Sequence, residues 1–131
     1  MVKILSKLEP VFYSFMRIVV GFLFFWHGFQ KLFNFPGAAH EMPAHVQYIA
    51  GPIEFFGGIF IMLGLATRIS AFLACGLMAF AYWMVHGPQA LLPIQNRGEL
   101  AVIYCFVFLV IFARGGGPLS LDNIFRKSKK A

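Results

Sequence analysis

Four apolar segments, at about 11–33, 50–66, 69–86 and 98–113, fill most of this chain, and each carries an ionisable residue near one end. His27 and His86 close the first and third segments, while Glu54 and Glu99 open the second and fourth. If the segments cross a bilayer in alternating directions, all four residues arrive on one face. Ionisable groups are expensive in hydrocarbon, so a convergent set of them marks a functional site by default.

Composition decides the solvent. Only 12% of the residues are charged and 60% are hydrophobic, with a mean hydropathy of +0.76. Soluble domains carry about 25% charged residues. Seventeen phenylalanines and six methionines in 131 residues exceed what a water-soluble core could hide. The expected fold is all-α, an antiparallel transmembrane four-helix bundle forming one membrane domain over 1–131. A net charge of +6 does not point to nucleic acid, because the basic residues gather at the two ends rather than on a patterned face. They read as anchors beside the bilayer.

The first segment is longer than a secretory core and ends in Trp26-His27-Gly28-Phe29, so it is expected to be retained. Residues 34–48 are polar, with Pro36, Pro43, His40, Glu41 and His45, and read as a loop or a short surface helix. Pro52 suits the first turn of the second helix, where its missing N–H has no partner to lose. Thr67-Arg68 makes a tight turn, Gly87-Pro88 ends the third helix, and Arg114-Gly115-Gly116-Gly117-Pro118 stops the fourth, leaving a basic tail over 114–131. A hydrocarbon core of about 30 Å needs about 20 helical residues. The second and fourth segments offer fewer, so either they extend into the preceding loops or the protein is locally thin and dished. The dished form is the expectation.

Lys3, Lys7, Arg68, Arg114, Arg126, Lys127, Lys129 and Lys130 flank one side of the segments, against Lys31 and Arg97 on the other. That bias predicts both termini in the cytoplasm and the two longer loops outside, with Trp26, Tyr82 and Trp83 at the outer interface. A faint repeat supports two helical hairpins in parallel orientation. His27-Gly28-Phe29-Gln30-Lys31-Leu32 parallels His86-Gly87-Pro88-Gln89-Ala90-Leu91, and each is followed by a loop and a helix opening with a glutamate.

Several motifs resemble one family in order and spacing. They are Arg17-x3-Gly21, His27-Gly28-x2-Lys31-Leu32, Glu54-x2-Gly57-Gly58, Gly64-Leu65-Ala66-Thr67-Arg68, Gly98-Glu99 and Gly115-Gly116-Gly117-Pro118-x-Ser120-Leu121-Asp122. Together they look like the DoxX family, over Arg17 to Asp122. The glycine run replaces the family's commoner Gly-Pro-Gly. The resemblance implies a small four-helix, multi-pass protein of a bacterial inner membrane. It also implies a redox setting: the family name comes from a subunit associated with a terminal quinol oxidase, and relatives resemble membrane parts of thiosulfate:quinone oxidoreductases.

Each candidate residue has a functional and a structural reading. His27 and Lys31 lie four apart on one helix face; they either grip an anionic or carbonyl-bearing ligand, or serve as a bonded histidine and a snorkelling lysine. Glu54 and Glu99 sit at helix starts, where the macrodipole favours a carboxylate. With His86 and Arg97 they complete an outer polar cluster that is either a ligand site or a charge network. The histidines and glutamates suit a metal by type, but no Glu-x-x-His or His-x3-His spacing supports one, and no metal site is assigned. Cys75 and Cys105 lack a C-x-x-C arrangement and read as small apolar residues. Arg17 and Arg68 meet either lipid headgroups or the carbonyl ends of neighbouring helices. Small residues permit close helix packing, with Gly57 and Gly64 one heptad apart on the second segment. The Phe22–Phe25 and Phe55-Phe56 clusters face lipid or line a slot for an isoprenoid tail.

Three classes of function follow. The first is a redox-associated subunit holding a quinone or small molecule among His27, Lys31, Glu54, His86, Arg97 and Glu99. No cofactor is encoded, so an electron-donating membrane or peripheral oxidoreductase would be its partner. The second is a non-catalytic module that binds or stabilises such an enzyme, and the third a small-solute carrier. Beyond the lipid bilayer, further copies of the chain are the remaining candidate partners.

Overall fold

A computed structural model describes residues 2–37 and 43–129; His40, Glu41 and Lys130 lie outside the described residues. Among the described residues the chain is all-helical. Helix α1, Val2–Phe33, is 32 residues long, about 48 Å at 1.5 Å per residue. It starts well before the apolar segment at 11 because residues 2–10 keep a helical polar–apolar rhythm, and Pro10 is accommodated within it. Asn34 ends it with φ 53°, the left-handed conformation that asparagine tolerates, and Pro36 follows.

Helix α2, Gly51–Leu63, carries Pro52 in its first turn, as expected. A π-helical turn, Val46–Ala50, precedes it without a break. Proline cannot continue a regular hydrogen-bond ladder, and the wider turn lies just before it. The second span therefore reaches 18 residues, Val46–Leu63, by extending outward into what the sequence reads as a loop or a short surface helix. For this span the outward extension replaces the expected dish. Gly64, at φ 68°, terminates α2 in a Schellman arrangement, with Leu65 N–H donating to Phe60 O at 2.9 Å.

Helix α3, Thr67–Ala81, runs into a second π-helical turn, Tyr82–His86. The turn between α2 and α3 is thus made by residues 64–66, and Thr67-Arg68 already belongs to α3. A short α4, Pro93–Asn96, leads into α5, Glu99–Arg114. The basic tail then forms a further helix, α6, Leu121–Ser128, started by the Ser120 side chain accepting from Asn123 N–H at 3.2 Å. Among the described residues, three helical runs are long and apolar enough to cross a membrane: Lys3–Phe33, Val46–Leu63 and Thr67–His86. Helix α5 has 16 residues.

The principal packing pairs are α1 with α2 and α3 with α5, and α2 also meets α3. Backbones of α1 and α2 nearly touch. A β-carbon placed on Gly28 would lie 2.2 Å from Phe55 N, and one on Gly58 would lie 2.5 Å from Phe25 N. Gly21 and Gly58 face each other in the same way. The close approach thus uses Gly58 with Gly21 and Gly28, not the heptad pair: Gly57 has ordinary contact with Phe24, and Gly64 is spent on the turn. Phe24, Ile61, Ala71, Ala74, Met78, Tyr104, Phe108 and Ile111 form the core. Most other large apolar side chains, such as Phe15, Phe72 and Phe106, point outward, as a lipid-facing surface requires.

Candidate functional site

Helix α1 presents His27 and Lys31 one turn apart. Helix α2 adds Glu54 from its first turn, the π-helical end of α3 adds His86, and Arg97 occupies the left-handed junction (φ 57°) between α4 and α5. All five line one cavity of about 250 Å³, walled by Phe24, Met78, Ala81, Val85, Leu100, Ala101 and Tyr104. Residues from four separate elements therefore converge, and both histidines of the internal repeat are among them. Glu99 is not in this lining; it is exposed at the start of α5.

The polar groups are partly matched to each other. Lys31 Nζ donates to Glu54 Oε2 in a pair whose side chains are 18% and 5% exposed. His86 Nδ1 lies 2.9 Å from the carbonyl of Asn96. A carbonyl only accepts, so Nδ1 carries the proton and Nε2 is the acceptor nitrogen of the neutral ring. His27 stands edge-on to the Tyr104 ring, 6.0 Å between centroids at 89°. Tyr104 in turn stacks on Phe108 and packs against Phe24, giving the cavity an aromatic wall. With two cations and one carboxylate, the lining favours a ligand with acceptor oxygens. Among the described residues, no three His, Cys, Asp or Glu side chains come together as a metal-ligand set.

Two lining or supporting residues escape the sequence reading. Tyr104 falls three residues after Ala101 on α5, a spacing that places it on the cavity face once that face is known. Asn96 is 1% exposed. Its Nδ2 donates to Ala90 O and its Oδ1 accepts from Gly98 N–H, which fixes the loop between His86 and Arg97. A polar residue between Pro93 and Gly98 is the only hint the sequence offers.

At the opposite end, Arg17 is fully buried. Its guanidinium donates to Ile61 O, to Met62 O and Gly116 O at 2.8 Å, and to Leu119 O at 2.5 Å. Arg68 Nη1 donates to Phe112 O at 2.7 Å and Ala113 O at 2.8 Å. Both arginines thus bind carbonyls at helix ends, Arg68 with Nη1. Asp122 accepts from Ala66 N–H at 2.8 Å, Thr67 N–H at 2.9 Å and Thr67 Oγ1–H at 2.6 Å, capping α3 from a distant part of the chain. Burial pushes the Asp122 carboxyl up, but the Thr67 and Ala66 hydrogen bonds and the Arg17 charge outweigh it and hold the carboxyl below its ordinary range. Cys75 and Cys105, on α3 and α5, meet with their sulfurs 3.6 Å apart. Sequence position alone gives no sign of that pairing.

The fold and the polar cavity together define an all-helical membrane protein with an ionisable cluster at one end of its helices. The chain belongs to the DoxX family, whose model matches residues 12–87. An uncharacterized protein of Haemophilus influenzae is 39% identical, over 94% of this chain and 97% of its own length. The Bacillus subtilis protein named "Putative oxidoreductase CatD" is 27% identical, over 88% of this chain and 87% of its own. Inner membrane protein YqjF of Escherichia coli is 27% identical over 94% and 98%. No solved structure matches the chain significantly.

Proposed function

We propose that this protein is a single-domain, antiparallel four-helix bundle of a bacterial inner membrane, with both termini cytoplasmic and α5 as the fourth span. In this reading it serves as a redox-associated subunit whose outer cavity holds a quinone headgroup or a similar small carbonyl-bearing ligand. The observation that carries the proposal is the convergence of His27, Lys31, Glu54, His86 and Arg97 on one aromatic-walled cavity. Glu99, exposed at the start of α5, lies outside the lining.

Size and chemistry support the same ligand class. An apolar cavity of about 150 Å³ holds benzene, so about 250 Å³ suits one substituted ring. Lys31, Arg97 and His27 supply donors for two carbonyl oxygens, while His86 Nε2 offers an acceptor, and histidine can pass a proton near neutral pH. Phe25, Phe29, Phe33 and Phe55 form a continuous aromatic strip on the α1–α2 face, a surface suited to an isoprenoid tail. The oxidoreductase name carried by CatD and the inner-membrane name of YqjF agree with this setting. The chain's own residues bind and orient; electrons come from a partner oxidoreductase.

The Lys31–Glu54 pair favours a second reading, because it satisfies both charges without a ligand. In that case the protein is a non-catalytic module that stabilises a partner enzyme. Lipid extracted from the purified protein separates the two. The first reading expects quinone enriched over the membrane background, and lost on His27→Ala or Glu54→Gln in protein that stays folded. Enrichment untouched by both substitutions removes the proposed site.

A further inference from the structure

At the end of the helices away from the cavity, a groove of about 710 Å³ runs between the α2–α3 turn, the Gly115–Ser120 loop and α6. Arg68, Arg114 and Arg126 line it, with Asp122 as the carboxylate in its wall. Asp122 is already engaged by Ala66 and Thr67, and Glu9 pairs with Arg114. Arg68 spends Nη1 on α5 carbonyls and lays its Nε and Nη2 edge against Gly115, at the groove floor. Arg126 is held only loosely, its Nη2 donating to Asn123 at 3.2 Å. The groove is therefore cationic after internal pairing.

Helix α6 borders it and is sharply two-faced. Ile124 and Phe125 are 58% and 53% exposed on one side, next to Leu119 at 52%; Asp122, Asn123, Arg126 and Lys127 occupy the other. A basic amphipathic helix of this kind lies in the plane of a membrane interface. Its placement is fixed: Asp122 N–H donates to Gly64 O, and Arg17 holds Leu119 O, so α6 is tied to the point where α2 ends.

We infer that this groove and α6 form a binding site for an anionic phospholipid. Arg68 and Arg126 receive the phosphodiester, while Ile124 and Phe125 enter the acyl layer beside it. The site is separate from the proposed ligand cavity and does not depend on what that cavity holds.

The test uses the full chain, purified in detergent, delipidated and titrated with phosphatidylglycerol or phosphatidylcholine of matched acyl chains, with bound lipid counted by native mass spectrometry. Both lipids carry the phosphodiester, but choline cancels its charge in phosphatidylcholine, so phosphatidylglycerol should be retained about fivefold better for each unpaired arginine beside the headgroup. Arg126→Gln, on an exposed turn where folding is not at stake, should remove about one such factor. Phe125→Ser should weaken retention of both lipids. Equal retention of the two lipids, or an unchanged preference in Arg126→Gln, overturns the inference. So does displacement of the lipid by millimolar inorganic phosphate with no effect of Phe125→Ser, which would make the groove a site for free phosphate.

Discussion

Lys31 and Glu54 meet across the α1–α2 contact, one turn from the point where Gly28 lets the two backbones touch. The pair is far more buried than the Arg114–Glu9 pair at the other end of the helices. Removing one member of a buried ion pair strands the other and costs about 3–5 kcal/mol, whereas replacing both with apolar or neutral groups is far less damaging. Lys31→Met alone should therefore lower stability by about 3 kcal/mol, and Lys31→Met with Glu54→Gln should recover at least half of that loss. Thermal unfolding of the four proteins in one detergent measures the coupling. Simple additivity of the two single changes would show that the side chains do not depend on each other.

Glycine contacts predict an equally sharp contrast. A β-carbon on Gly28 would sit 2.2 Å from Phe55 N, and backbone cannot yield as a side-chain tip does. Gly28→Ala should force α1 and α2 apart and lower stability by about 3 kcal/mol, in the range of severe overpacking. Gly76, on α3, has nothing within 4 Å of its added carbon. Gly76→Ala should instead gain up to about 1 kcal/mol from helix propensity. The ordering of the two melting temperatures checks the packing of α1 on α2, and a reversed order would refute it.

Hydropathy makes the apolar segments legible, and the position of the ionisable residues within them makes one end of the protein stand out. What hydropathy lacks is helical phase. Glu99 lies two residues before Ala101, about 200° around α5, so a residue at the right depth faces away from the cavity while Tyr104 faces into it. The π-helical turns at Val46–Ala50 and Tyr82–His86 shift the ends of two spans, and the first has only Pro52 after it as a sequence correlate. Asp122 shows the same limit: it caps α3 only because the chain folds back over 55 residues to Thr67. The Ser120 cap that starts α6, by contrast, is legible, since serine is a preferred N-cap and the acidic Asp122 follows in the first turn.

Cys75 and Cys105 offer a direct check on the packing of α3 against α5. Their sulfurs lie 3.6 Å apart, so a small rotation of either side chain brings them to the roughly 2.05 Å of a disulfide. A membrane-permeant oxidant should convert the pair into an intramolecular disulfide, read by mass spectrometry as loss of two hydrogens and of both alkylation sites. Neither Cys75→Ser nor Cys105→Ser should give that product. Full alkylation of both thiols after oxidation would place α3 and α5 in a different register.

Asp122 makes stability depend on pH in one window. Its folded carboxyl titrates below the ordinary value, which for aspartate is about 3.9. The folded state therefore holds the proton less tightly than the unfolded chain, and stability falls as pH falls. The contribution is complete above about pH 5, begins to decline near the unfolded value, and is lost as pH drops through the lowered folded one. Asp122→Asn removes an acceptor from the start of α3 and should cost about 1–2 kcal/mol at neutral pH, as loss of a helix cap does. The gap between the native protein and Asp122→Asn should stay flat from pH 8 to about 5 and close below about pH 4. A gap that widened on acidification would mean that Asp122 is protonated in the folded protein and donates, rather than accepts, at the end of α3.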